Sequence, residues 1–312
     1  MKQNIWLFGL GYWGNILLPR INQIFQNDVF VIDPRFDKDL ESNFLFQIKT
    51  IGDFERQAKS SDIVFVLTPP DTHFDMVRIA LNKHCHIWVE KPLCLNARDA
   101  QKLVSQAKSQ GTTLFIDNTF LFDDSIHYLK NILAFSDVKV NANFSRTAWG
   151  KLLKKYGVIW DLLPHDLSII SFLFGKIKDV NIIDFIYDSD LKAVIEIWLK
   201  LETTKGDTII VHSSCASSKR SRSIEIFTGN QVFFQQSIKG RSVIEVSNIL
   251  NLANSELNQV VQNLEFIQEP IINALKNFKE LLVSGDQHFS LQSSVEEISI
   301  MEKISKKISL IS

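Results

Sequence analysis

Cysteine is scarce in this 312-residue chain. The three present, Cys85, Cys94 and Cys215, are odd in number and lack metal-ligand spacing. That argues against a disulfide framework or a cysteine metal site and suits buried, reduced thiols of a cytoplasmic protein. An excess of one charge sign is also lacking: 34 Lys and Arg stand against 35 Asp and Glu, for a formal net charge of −1. Without a basic excess or a long like-charge run, nothing points to nucleic acid or to a membrane surface. No apolar run reads as long enough to span a bilayer, and a first strand opening at Asn4 or Ile5 leaves no room for a signal peptide. Internal repeats, low-complexity tracts and flexible linkers are missing too. What is there, 45% hydrophobic and 22% charged residues, is ordinary globular composition, in a chain long enough for two domains.

The first half alternates short apolar runs with helical patterns. Asn4-Ile5-Trp6-Leu7-Phe8 reads as a buried strand, Gly9-Leu10-Gly11-Tyr12-Trp13-Gly14 follows, and Asn15-Ile16-Leu17-Leu18 opens a helix. This is G-x-G-x-x-G between strand and helix. There the glycines permit a tight turn and a close pyrophosphate, and the helix N-terminus faces the anion. A second strand, Val29–Ile32, ends in Asp33 about 20 residues further on, where a carboxylate holds an adenosine ribose and favours NAD. Arg35 nearby weakens that preference, so NADP stays open.

Ile63–Leu67 is a third strand and ends in Thr68-Pro69, on the cofactor side. Asp71-Thr72-His73 starts the next helix, and His73, in its first turn, is read either as a cofactor contact or as a surface histidine. His86–Val89 runs into Glu90-Lys91-Pro92, which puts an ammonium at the carboxyl end of a parallel strand, where open α/β sheets bind ligands. Asn96 and Gly111 bracket a helix, and Leu114–Asp117 closes a doubly wound parallel sheet over residues 1–119.

Residues 120–312 read as a second, substrate-binding and oligomerising domain. A helix over 124–135 precedes an extended run ending in Arg146. Trp160-Asp161-Leu162-Leu163-Pro164-His165-Asp166 then opens an apolar helix. Asp161 is the expected N-cap, on one face with His165, while Asp166 points elsewhere. Apolar runs from 181 to 235, separated by turns at Lys205-Gly206-Asp207 and Thr228-Gly229-Asn230, predict a mostly antiparallel sheet. Lys219-Arg220-Ser221-Arg222 reads as a solvated basic loop, with contact to a substrate phosphate as the alternative. Leu257, Val260, Val261, Leu264 and Ile267 have helical spacing, and helices follow from Pro270 to Gly285 and over 291–308.

With Gly9–Gly14, Thr68-Pro69, Glu90-Lys91-Pro92 and Asp161-x-x-x-His165 in this order, the chain resembles the glucose–fructose oxidoreductase/inositol dehydrogenase family. The resemblance implies a Rossmann domain followed by an α+β domain with an open, mostly antiparallel sheet. It also implies an NAD(P)-dependent dehydrogenase acting on sugars, cyclitols or nucleotide sugars. Such an enzyme is expected to be a homodimer or homotetramer joined through that sheet.

On that resemblance Lys91 and His165 flank the reacting carbinol, Asp161 supports them and Asn118 is a substrate-binding candidate; Arg146, as a basic group, is a second one, toward a phosphate-bearing ligand. Gly9, Gly11, Tyr12, Trp13, Gly14, Asp33, Arg35, Thr68, Pro69, His73 and Glu90 bind the cofactor. The stretches 116–121 and 158–169 look most like bacterial nucleotide-sugar 3-dehydrogenases. Two departures stand out: Asn118 takes a place where that subgroup often has histidine, and 257–267 has helical spacing where the family runs extended. The alternatives are a non-catalytic NAD(P)-binding regulator of the same fold and a dehydrogenase of a free cyclitol or hexose.

Overall fold

The computed structural model describes residues 3–35, 47–134, 138–148, 153–229, 231–238, 241–248, 260–267, 269–286 and 290–310. Asn230 and Leu257, named above, lie outside the described residues, as does position 135 at the expected end of the helix from Asp124.

Two compact units divide the chain: Met1–Asn118 with Ile271–Ser299, and Thr119–Pro270 with Ile300–Ser312. In the first, β1 (Ile5–Phe8), α1 (Tyr12–Phe25), β2 (Val29–Ile32), β3 (Gln47–Ile48), α2 (Ile51–Gln57), β4 (Ile63–Val66), α3 (His73–Asn82), β5 (His86–Glu90), α4 (Ala97–Gln110) and β6 (Leu114–Asp117) alternate. The six strands are all parallel, in the order β3-β2-β1-β4-β5-β6. This is the doubly wound order whose direction reverses between β1 and β4, and ligands bind outside the carboxyl ends at such a point. Every residue of β1, β4 and β6 is buried, and β1 and β4 accordingly read as unbroken apolar runs, while β6 ends in Asp117. The ends of α4 follow local chemistry: Asn96 accepts the Asp99 N–H, and Gly111 takes the left-handed C-cap at φ 64°.

The second unit contains α5 (Asp124–Ala134), β7 (Asn141–Thr147), α6 (Leu153–Asp161) and α7 (Leu163–Phe174). It continues with β8 (Ile177–Asp188), β9 (Ala193–Thr203), β10 (Thr208–Ser214), β11 (Ser221–Thr228), β12 (Gln231–Ile238), β13 (Arg241–Asn248) and β14 (Val260–Ile267). Eight strands pair in the order β14-β13-β12-β11-β7-β10-β9-β8, antiparallel except for β7 beside β10. Along β9, buried Ile197, Leu199 and Leu201 alternate with half-buried Trp198 and Lys200, so one face of the sheet meets the core.

Three expectations change here. Residues 260–267 form β14 rather than a helix, because β13 supplies a partner along Arg241–Ser247. Asp161 ends α6 and is not an N-cap; Leu162 occupies that position and gives no side-chain cap. Tyr156–Phe174 does have the length and composition to cross a bilayer, although most of it is buried in the protein. Gly157 breaks this stretch at φ 62°, and a Cβ there would sit 2.7 Å from the Val194 carbonyl oxygen of β9. Glycine therefore lets helix and strand touch. At the other end Lys130 donates to the carbonyls of Phe172 and Leu173, capping α7.

The chain closes with α8 (Pro270–Ser284) and α9 (Leu291–Ser309). Phe278 of α8 is fully buried, with its ring 5.4 Å from Phe115, 5.6 Å from Trp88 and 5.9 Å from Phe65. These rings anchor α8 on the parallel sheet.

Candidate active site

The carboxyl edge of the parallel sheet gathers most of the expected cofactor residues. Gly9 follows β1 at φ 91°, and a Cβ there would meet the Leu67 carbonyl oxygen at 2.9 Å. A Cβ on Gly14 would lie 2.5 Å from the Gly9 carbonyl oxygen. Both positions therefore require glycine, whereas Gly11 faces open space apart from an Arg35 nitrogen at 4.0 Å. Gly11 is the N-cap of α1, with no side-chain cap and no acidic residue in the first turn. The helix thus presents N–H groups and the positive end of its dipole to an anion. Tyr12 and Trp13, edge to face at 5.5 Å, stand exposed beside the loop.

Asp33 lies just past β2. Its Oδ2 accepts from Leu10 N–H at 2.8 Å and Arg35 Nη2 at 2.6 Å, and its Oδ1 accepts from the Arg35 N–H and Nε. The Arg35 side-chain hydrogen bonds are the main reason the carboxyl is lowered to about 2. Arg35 is itself exposed, so it can leave Asp33 to a ribose hydroxyl or meet a 2′-phosphate.

Thr68 and Pro69 follow β4, with the Thr72 hydroxyl held at 2.7 Å from the Thr68 hydroxyl and from the Pro69 carbonyl. His73 is neither a surface histidine nor an open cofactor contact. Its ring is fully buried, with Nδ1 2.8 Å from the Pro92 carbonyl and Nε2 2.7 Å from the Thr68 carbonyl. Burial, above all, lowers its pKa. It ties the turn after β4 to the turn that carries Lys91.

Lys91 is half-buried at the end of β5. Glu90, expected to touch the cofactor, is buried and hydrogen-bonded to Asp117. Burial first, then the Asp117 charge, pushes its carboxyl well above the usual range, with Lys91 opposing. Glu90 Oε1 and Asn118 Nδ2 are buried without a hydrogen-bond partner among the described residues. The glycine cradle, the open helix end and these polar atoms at one sheet edge fit a nicotinamide dinucleotide.

The remaining expected residues lie in the second unit. His165, in the first turn of α7, meets Phe120 edge-on at 4.9 Å. Arg146 is buried on β7 and donates from Nε and Nη2 to Asp166 Oδ1 at 2.9 and 2.7 Å. Asp166, expected to point elsewhere, is thus the partner of Arg146. Asp161 lies near Cys215, whose thiol is pushed up chiefly by burial and, less, by that carboxylate. Sequence reasoning passes over Phe120 and Asp166 as site residues and offers Arg222 only as the alternative reading of a basic loop. All three line one cleft with Arg146, Asp123 and Gln235. The signal that joins Arg222 to Arg146 is the pairing of β7 with β11, which no local motif announces.

A dinucleotide-binding Rossmann unit followed by an open-sheet unit defines the class of this protein. Residues 3–118 match the model of the GFO_IDH_MocA oxidoreductase family, described as an NAD-binding Rossmann fold. Among curated relatives, an uncharacterised oxidoreductase of Escherichia coli is 31% identical over 125 residues, covering 36% of each chain. The UDP-N-acetylglucosamine 3-dehydrogenase of Acidithiobacillus ferrooxidans is 26% identical over 141 residues, covering 45% of each. The chain thus spans less than half the length of these relatives. A solved structure of the latter enzyme superposes with a TM-score of 0.81 at 17% identity, covering 97% of this chain and 96% of that one. A 3-ketoreductase from Actinomadura kijaniata, solved with NADP and TDP-benzene, gives 0.79 at 15% identity over 97% and 96%. Identities this low carry the fold alone.

Proposed function

We propose that the protein is an NAD(P)-dependent oxidoreductase of a secondary carbinol on a sugar, most specifically a nucleotide sugar. The observation that carries this is the single sheet edge holding the glycine cradle, Asp33, Thr68 and Lys91. Gly9, Gly11, Gly14 and Asp33 would hold the dinucleotide, whose nicotinamide supplies hydride transfer. Lys91 donates to the carbinol oxygen and stabilises the charge that develops there. His165 takes the hydroxyl proton as general base. Asp161 supports that histidine. The nucleotide-sugar reading draws on the names of the two relatives above and on the arginines of the second unit.

The same proposal places the enzyme in the cytoplasm as a homodimer or homotetramer joined through the eight-stranded sheet. Ile183, Ile186 and Tyr187 of β8 are exposed there. The test is nicotinamide absorbance with a panel of UDP-sugars and free sugars. Turnover with a UDP-sugar supports the full reading, turnover with free sugars alone removes the nucleotide, and cofactor binding without any turnover overturns catalysis.

A further inference from the structure

In the pairing of β11 with β7, Arg222 stands directly opposite Arg146. Like charges in register across a sheet destabilise it. Arg146 is compensated by Asp166. Among the described residues, the Arg222 side chain forms no hydrogen bond or ion pair. Its guanidinium instead lies 4.3 Å from the Phe120 ring centroid, and that of Arg146 lies 4.7 Å from the same centroid. Burial foremost, then Arg146 and Arg220, lowers Arg222 to about 9. The cleft that both arginines line also carries Ser145, Ser223, Gln235 and Ser237, beside apolar Ile126, Ile169 and Ile224. Its acidic neighbour Asp123 is already engaged by Ser125 and Ser242.

We propose that this cleft is an oxyanion site, in which Arg222, with Arg146 beside it, grips a phosphoryl or carboxylate group of the substrate. A planar guanidinium matches either group through paired N–H donors. Phe120 also touches His165, so the anion sits one phenyl ring from the imidazole. The substrate therefore carries its negative charge close to the reacting carbon, as a sugar diphosphate or a sugar acid does. This assignment rests on the proposed function only in making the anion part of the substrate.

The test uses the full chain saturated with NAD, so that the dinucleotide site is filled. Inorganic pyrophosphate, glucuronate and neutral glucose are titrated by calorimetry against wild type, Arg222→Met and Arg222→Lys. Wild type should bind at least one of the two anions and not glucose, and the anion that binds identifies the group. Arg222→Met should lose at least tenfold in that affinity, Arg222→Lys less, and Arg222→Met should melt no lower than wild type without anion. Anion binding unchanged in both variants, or none in wild type, overturns the site. Anion binding at Arg222 with no sugar turnover would leave the site standing and defeat the oxidoreductase reading instead.

Discussion

Glu90 and Asp117 face each other across β5 and β6, in register and hydrogen-bonded, next to Lys91. Two buried carboxyls so placed hold a proton between them. Because the folded-state pKa of Glu90 is raised, its stabilising contribution is full below the unfolded value of 4.5 and is lost as pH rises toward the folded value. Glu90→Gln keeps a neutral side chain and removes that loss. Thermal melts from pH 5 to 8 should show the variant at least as stable as wild type, with a flatter decline. A drop of several degrees at neutral pH would show that Glu90 is needed as a carboxylate.

Lys91→Ala and His165→Ala should each lower kcat by about 10²–10⁴-fold. Cofactor affinity should move by no more than about twofold, since neither residue belongs to the glycine cradle. Steady-state rates and fluorescence titration with NADH measure the two effects separately.

Gly14→Ala places a methyl 2.5 Å from the Gly9 carbonyl oxygen. The loop must shift, at a cost of about 1–3 kcal/mol, and dinucleotide binding should fall with it. Denaturant unfolding and NADH titration on the same variant would show both losses. Unchanged affinity would mean that this loop is not the phosphate cradle.

Arg35→Ala frees the Asp33 carboxylate and removes the guanidinium that engages it. The ratio of NAD to NADP affinity should rise about tenfold or more. Asp33 also carries an acid-stability signature. Its lowered pKa gives stability that is present above 3.8 and is lost as pH falls toward about 2. In Arg35→Ala that acid-limb loss should shrink, as chemical unfolding between pH 2 and 4 would show.

The cofactor edge was legible because its signals are local. Gly9–Gly14, Asp33, Asn96 and Gly111 each announce themselves by backbone need or capping within a few residues. The second unit was less legible because its features depend on partners far along the chain. Val260–Ile267 fits either period by sequence, and β13 decides for a strand. Arg222 looked like part of a solvated loop until strand register set it against Arg146. His73 needed two distant carbonyls, and Asp166 needed β7, before either had a role.

Gly157 brings its helix against a strand that is made later. Tyr156–Phe174 leaves the ribosome before β9, whose Val194 it touches, has been synthesised. A nascent chain stopped before β9 would leave this largely apolar 19-residue stretch without the part of its cover that β9 supplies. Such fragments should aggregate or seek chaperones and lipid, so trimming this protein from its C-terminal side becomes hazardous once β9 is lost.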